Sequence, residues 1–220
     1  FLQGYALRPI PENATKTLGK SYETLENAIK PFPLCRYNHQ TLDLVIDYQK
    51  KYDVETSKIS SIIIDMPTYG VQLCGSPIEL KRNPKSAVDA QFSGCFAAAL
   101  ALTQEKADMK TFTNVLNTGM SAEFRRLLSI TDIQQADDLD AIHPEFWPGR
   151  VTLIIDGEKV ELYGKHMRGE KERPMTIVEV QEKFRDLSPN HDESKRMEVF
   201  EVINNLENAT IDDLLSPLRK

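Results

Sequence analysis

Residues 150–164 read RVTLIIDGEKVELYG, and this stretch decides the fold class. Arg150 to Ile155 and Lys159 to Gly164 are β-rich runs, and the Asp156-Gly157 pair between them supplies the positive φ that a tight hairpin turn needs. Working outward toward the N-terminus, Ile59 to Met66 carries three consecutive isoleucines at 62–64 and stops at Pro67, which predicts a buried strand. A helix is expected over about 39–52, with Asn38 as N-cap; Leu42, Val45, Ile46 and Gln49 share one face, and Asp43, Asp47 and Lys50 fall on the other. Gly70 to Asn83 reads as a loop. Pro84 then opens a helix that is apolar almost all round from Ala87 to Leu102 and must be buried on most sides. A helix over roughly Thr113 to Ser129 and an acidic loop, Asp132 to Asp140, lead through His143-Pro144 and Trp147-Pro148-Gly149 to the hairpin. Beyond the hairpin, Thr176 caps a helix carrying Ile177, Val180, Phe184 and Leu187 toward the core, and Ser188-Pro189-Asn190 ends it. Helices over Glu193–Leu206 and Ile211–Leu218 close the chain. This order predicts an α+β protein rather than a doubly wound parallel one.

Composition limits the possible functions. The 220 residues include 27 Lys+Arg against 33 Asp+Glu, a formal charge of −6, with 40% hydrophobic residues, which is too apolar and too weakly charged for a disordered chain. At about 150 residues per domain, one or two domains are expected. The longest apolar run, Cys95 to Leu102, is far short of the roughly 20 residues that span a bilayer, so no membrane partner is expected. No basic run exceeds Lys50-Lys51 or Arg125-Arg126, which argues against nucleic acid. Cys35, Cys74 and Cys95, odd in number and widely spaced, fit a reducing, cytoplasmic compartment better than a disulfide framework. Asn13-Ala14-Thr15 and Asn208-Ala209-Thr210 read as chance glycosylation sequons. The chain opens at Phe1 rather than at methionine and is expected to be a piece of something longer.

No GxGxxG, P-loop, HExxH, GxSxG or EF-hand loop occurs, and His39, His143, His166 and His191 are scattered, so neither a cofactor nor a metal is expected. After an opening segment with one short helix following Ser21, Pro31 and Pro33 make Lys30 to Cys35 a rigid extended connector. The densest polar chemistry begins there: Lys30, Cys35, Arg36, Tyr37, His39 and Asp43. Cations can anchor a carboxylate, an imidazole can move a proton near neutral pH, and Asp43, four residues on, can orient the His39 ring. The plainer reading is a solvated helix N-terminus. Asp89 to Ser93 is a second polar cluster, read equally well as satisfied core groups. Tyr69, beside Gly70, can place a phenol on a mobile loop. Cys35 and Cys95 read as small buried apolar residues without a catalytic role.

Taken in order, Lys30-Pro31-Phe32-Pro33, Cys35-Arg36-Tyr37-Asn38-His39 with Asp43, Pro84 with Asp89-Ala90-Gln91-Phe92-Ser93, the Asp156-Gly157 hairpin, and Pro174-Met175-Thr176 with Lys183-Phe184-Arg185 resemble the second half of the MmgE/PrpD family. That family includes 2-methylcitrate dehydratase, cis-aconitate decarboxylase and iminodisuccinate epimerase. The resemblance implies three parts: 1–27 as the end of an all-helical domain, 28–188 as an α+β lid, and 189–220 as helices returning to the helical domain. It implies a metal-independent lyase, first a dehydratase of a small di- or tricarboxylate such as 2-methylcitrate, that is inactive without an N-terminal helical half forming the other wall of the cleft. An epimerase of the same family, or a non-catalytic binding fragment, are the alternatives. Lys30 and His39 are implied as catalytic, Arg36 and Tyr69 as substrate-binding, and a homodimer as the assembly. The cis-aconitate decarboxylase branch carries a histidine where Cys35 stands, so decarboxylation is the least favoured activity.

Overall fold

The computed structural model describes residues 2–104 and 106–219. In chain order it contains α1 (His39–Tyr52), β1 (Ile59–Met66), α2 (Gly94–Thr103), α3 (Met109–Thr118), α4 (Ala122–Ser129), β2 (Thr131–Gln135), β3 (Gly149–Ile155), β4 (Glu158–Gly164), α5 (Ile177–Leu187) and α6 (Glu193–Asn204), joined by shorter helical turns. The strands form one mixed sheet in the order β2-β1-β3-β4, and the architecture is α+β. β1 runs parallel to β2, with Ile64 opposite Ile133, and antiparallel to β3, with Ile62 opposite Leu153 and Ile64 opposite Val151. The hairpin forms as its sequence requires: Asp156 and Gly157 both take positive φ, 51° and 85°, and Ile155 pairs with Glu158 across the turn. This topology has one consequence for function. The C-terminal ends of β1, β2 and β4 and the N-terminal end of β3 all lie along the same edge of the sheet.

The core forms around α2. Every residue from Gly94 to Leu102 is buried, because α1 and α4 pack on it from two sides while Ile62, Ile64, Val151 and Leu153 of the sheet join the same cluster. Phe96 lies at the centre, its ring 5.6 Å from Phe112 and 5.0 Å from Phe124.

Several expected elements take a different form. The helix expected from Pro84 is two helices, Ala87–Gln91 and α2, broken at Ser93. Ser93 is extended, accepts from Phe96 N–H and donates its hydroxyl to the Lys81 carbonyl, so a local polar exchange outcompetes helix continuation. The helix expected over 113–129 is also two, α3 and α4, because Gly119 turns to φ 89° and Ser121 caps a new start. The expected acidic loop contains β2 and a helical turn, Asp137–Asp140, and the expected loop 70–83 is largely helical turns: Thr68–Gly70, Val71–Gly75 and Ile78–Lys81. Asn38 is itself helical and does not cap α1; its side-chain amide donates to the Gln91 carbonyl. On α5, Thr176 and Glu179 form the capping box, yet Ile177 and Leu187 point to solvent rather than into the core. Asp43, expected on the outer face of α1, is buried.

Phe96→Ala should cost about 3–5 kcal/mol, since the two aromatic rings packed on it, Phe112 and Phe124, cannot collapse into the space. Val88→Ala, on the exposed side of the short helix before it, should stay within about 0.5 kcal/mol. Urea denaturation of the two variants measures the difference.

Candidate functional site

The sheet edge defined above gathers the loops that carry chemistry. The chain leaves β1 through Pro67 into Thr68–Gly70, leaves β2 into Asp137–Asp140 and on to His143 and Trp147, and leaves β4 into 165–173. The short helical turn Arg36–Asn38, which runs directly into α1, packs against the same edge.

Close approach fixes these loops to one another. At Gly70 a Cβ would lie 2.9 Å from Tyr37 Cδ1 and 3.0 Å from Met66 Cβ, so glycine alone lets the Tyr69 turn lie on the Tyr37 ring. Asp140 fastens the same turn from the other side by accepting from Thr68 N–H at 2.7 Å and Thr68 Oγ1 at 2.6 Å, bonds that hold its carboxyl below the usual range. At Gly169, φ is 93° and a Cβ would meet the Ile29 carbonyl oxygen at 1.9 Å. Ile29 N–H donates to the Gly169 carbonyl at 2.9 Å, and Lys183 Nζ donates to the Lys30 carbonyl at 2.6 Å. The main chain on both sides of the Lys30 side chain is thereby held.

The side chains of the edge form an aromatic shelf with cations beside it. The Tyr37 ring lies 4.8 Å from Trp147, tilted 45° to it, His143 meets Trp147 edge-on at 5.2 Å, and Tyr69 lies 6.4 Å from His143. Tyr37 Oη and His143 Nε2 share a hydrogen bond of 3.2 Å. Burial and the neighbouring thiols raise the Tyr37 phenol above its ordinary pKa, so it stays protonated as the hydrogen-bonding partner of an imidazole. The Arg36 guanidinium sits 4.8 Å over Trp147 and pairs with Glu170 at 2.5 Å. Lys30 is exposed, and among the described residues no carboxylate pairs with its ammonium.

The predicted site residues are thus placed differently from one another. Arg36 and Tyr69 are brought to the shelf, and Lys30 lies on the connector beside it. His39 is not on the shelf. Its ring is 2% exposed, edge-on to Phe32, with Nε2 on the Leu34 carbonyl. A carbonyl only accepts, so Nε2 carries the proton, and burial pushes the ring pKa down to about 3. Proton transfer by His39 therefore gives way to a holding role: the ring braces residues 34–39. Asp43 does not orient it. Asp43 accepts from Arg168 N–H at 2.7 Å and faces the Arg168 and Arg173 side chains, tying α1 to the loop after β4.

Sequence reasoning passed over His143 and Trp147 as site residues. The signal was present as a histidine and a tryptophan four residues apart, each followed by a proline, Pro144 and Pro148, but without β2 that loop had no address.

Two further features lie nearby. His166, Glu170 and Glu172 bring one ligand atom each to within 4.8 Å of one another and could hold a metal ion. Glu170, however, already gives one oxygen to Arg36 and the other to Met167 N–H, so its charge is compensated without an ion. A cavity of 360 Å³ lies behind the connector, against Phe32, Ile46, Arg168 and Lys183, and its lining balances four cationic side chains against four carboxylates.

Residues 32–208, most of the chain, match the family model described as the MmgE/PrpD C-terminal domain. The comparison with curated proteins returns no match. No helix among the described residues is long and apolar enough to cross a membrane.

Gly70→Ala should displace the Tyr37 ring, lower stability by about 1–3 kcal/mol and shift the fluorescence of Trp147, the single tryptophan of the chain. A variant with unaltered emission would show that the Tyr69 turn does not position the shelf. His39 gives a pH dependence. Unfolded, it binds a proton below its ordinary 6.5; folded, it does so only near 3. Between these values the unfolded state binds more protons, so stability rises with pH, and its share is lost on acidification at up to about 1.4 kcal/mol per pH unit. Chemical denaturation at stepped pH should show this component missing in His39→Gln.

Proposed function

The chain belongs to the MmgE/PrpD family, as its C-terminal domain, and from that premise we propose that it forms the lid part of a metal-independent lyase, a dehydratase of a small hydroxy-di- or tricarboxylate of the 2-methylcitrate type. In this reading residues 28–188 are the lid, 1–27 and 189–220 belong with a helical half that supplies the other wall of the cleft, and the working unit is a homodimer.

The observation that carries the reading is the exposed Lys30 ammonium, unpaired among the described carboxylates, beside a shelf that also presents a guanidinium and a phenol–imidazole pair. Dehydration of a hydroxy-polycarboxylate removes a proton next to a carboxylate and expels hydroxide from the neighbouring carbon. Negative charge builds on the carboxylate as the C–H bond breaks, and the departing oxygen needs a proton. Cations placed on the carboxylates stabilise the first change, and a positioned acid–base group serves both. Lys30 is assigned to the carboxylate where charge develops. Arg36 is assigned to a second carboxylate, its planar fork suited to two parallel hydrogen bonds once Glu170 yields one of them. Tyr69 closes over the substrate from the rim. The proton role assigned from sequence to His39 passes to His143, with Tyr37 relaying.

The test uses the native protein in the presence of a chelator, with citrate-class hydroxyacids as substrates and the ultraviolet absorbance of the unsaturated product as signal. Turnover should persist under chelation. Lys30→Ala should lower kcat/KM by about 10²-fold at unchanged melting temperature, the scale expected when one charge-stabilising group is lost. A near-normal rate would remove Lys30 from the site. Exchange of substrate hydrogen with solvent without loss of water would favour the epimerase of the same family.

A further inference from the structure

Arg36 reaches the shelf already carrying a carboxylate. Its guanidinium lies 4.8 Å over the Trp147 ring, which fixes the plane of the fork, and Nη2 donates to Glu170 Oε1 at 2.5 Å. That is a single-point contact: among the described residues Nη1 makes no hydrogen bond, and Nε is buried and unpartnered. A guanidinium offers five N–H groups, and a carboxylate satisfies it best through two parallel bonds. Glu170 therefore covers the charge of Arg36 and leaves most of its hydrogen-bonding capacity unspent.

Glu170 is itself held independently of Arg36. Its Oε2 accepts from Met167 N–H at 3.2 Å, its own N–H donates to the Met167 carbonyl, and its carbonyl accepts from Arg173 N–H, so the carboxylate stands on a tight turn of the loop after β4. His166 Nδ1 lies 3.7 Å from the same Oε2. A carboxylate displaced from Arg36 keeps these two neighbours and is not left bare.

We propose that Glu170 is an internal stand-in for a ligand carboxylate, a specificity-determining residue that closes the Arg36 seat to any anion lacking a second carboxylate. The inference rests on the reading of Arg36 as a carboxylate seat and adds what Glu170 does there. An anion with one carboxylate that displaces Glu170 exchanges one part-buried ion pair for another of the same kind, and the net gain is too small to offset its lost translational and rotational freedom. An anion whose first carboxylate is on Lys30 presents its second at high effective concentration and gains the two-pronged contact that Glu170 does not make. Glu170 acts through Arg36 and takes no part in proton transfer.

The experiment measures binding to the native protein by calorimetry, with tricarballylate, a tricarboxylate that has no hydroxyl to lose, and propionate, a monocarboxylate, as probes. Glu170→Gln keeps an acceptor for Met167 N–H but removes the charge facing Arg36. It should bind tricarballylate about 10-fold more tightly, the scale of one charge-assisted hydrogen bond freed from competition, and propionate should gain by a similar factor. A residue that merely supported the loop would move affinity the other way. Glu170→Asp, with its charge one methylene farther from Arg36, should fall between the two and decides the matter if Glu170→Gln does not fold. In an Arg36→Met background, Glu170→Gln should change neither affinity by more than about 2-fold. Where the native protein binds tricarballylate, binding that is unchanged or weaker in the folded Glu170 variants, or tightening that persists in Arg36→Met, would overturn the proposal and leave the carboxylate site standing. Binding of neither probe to any of these proteins would remove the site itself, and the inference with it.

Discussion

The absence of any solvent-facing side on α2 is the constraint from which the rest of this domain follows. A helix buried all round has to be enclosed, and here α1 and α4 enclose it with the sheet. Its ends cannot be left to water either. At the N-terminus Ser93 takes up the Phe96 N–H and gives its hydroxyl to Lys81, so one side chain caps the helix and also anchors the turn Ile78–Lys81. Around α2 the strands order β2-β1-β3-β4, and the parallel β1–β2 pair joined through α2, α3 and α4 brings the functional loops to one edge.

Much of this organisation could be read from residue order. The hairpin at Asp156-Gly157, the isoleucine strand β1 and the helix from His39 each carry a strong local period or a turn with a single chemical solution. β2 carries none. Thr131 to Gln135 is short and mostly polar, and only Thr131 is buried, so its strand character comes from β1 rather than from its own side chains. The breaks at Ser93 and Gly119 were hidden for a similar reason: each lies inside a run whose apolar period continues across it, and a tertiary hydrogen bond or a positive φ decides the outcome. The exposed Ile177 and Leu187 of α5 obey the helical period but lack a partner surface among the described residues.

The site divides along the same line. Lys30, Arg36 and Tyr69 could be named because cations and a phenol near a stiff connector suggest anion binding before any fold is known. Burial separates His39 from them, and sequence does not report burial at a helix start where Phe32 and Leu34 fold back over the ring. His143 and Trp147 are the reverse case, ordinary in sequence and brought beside Tyr37 only through the strand order.

The clamp between Ile29 and Gly169 also bears on the entropy of binding. With Ile29 N–H held by the Gly169 carbonyl and the Lys30 carbonyl held by Lys183, the root of the Lys30 side chain has already lost its backbone freedom in the folded domain. An anion arriving at its ammonium has only the side-chain torsions to arrest, roughly 2 kcal/mol of rotamer entropy at most, whereas on a loose tether it would also have to order main chain at about 1–2 kcal/mol per residue. Gly169, itself without a side chain, thus contributes to affinity through disorder that was removed when the chain folded.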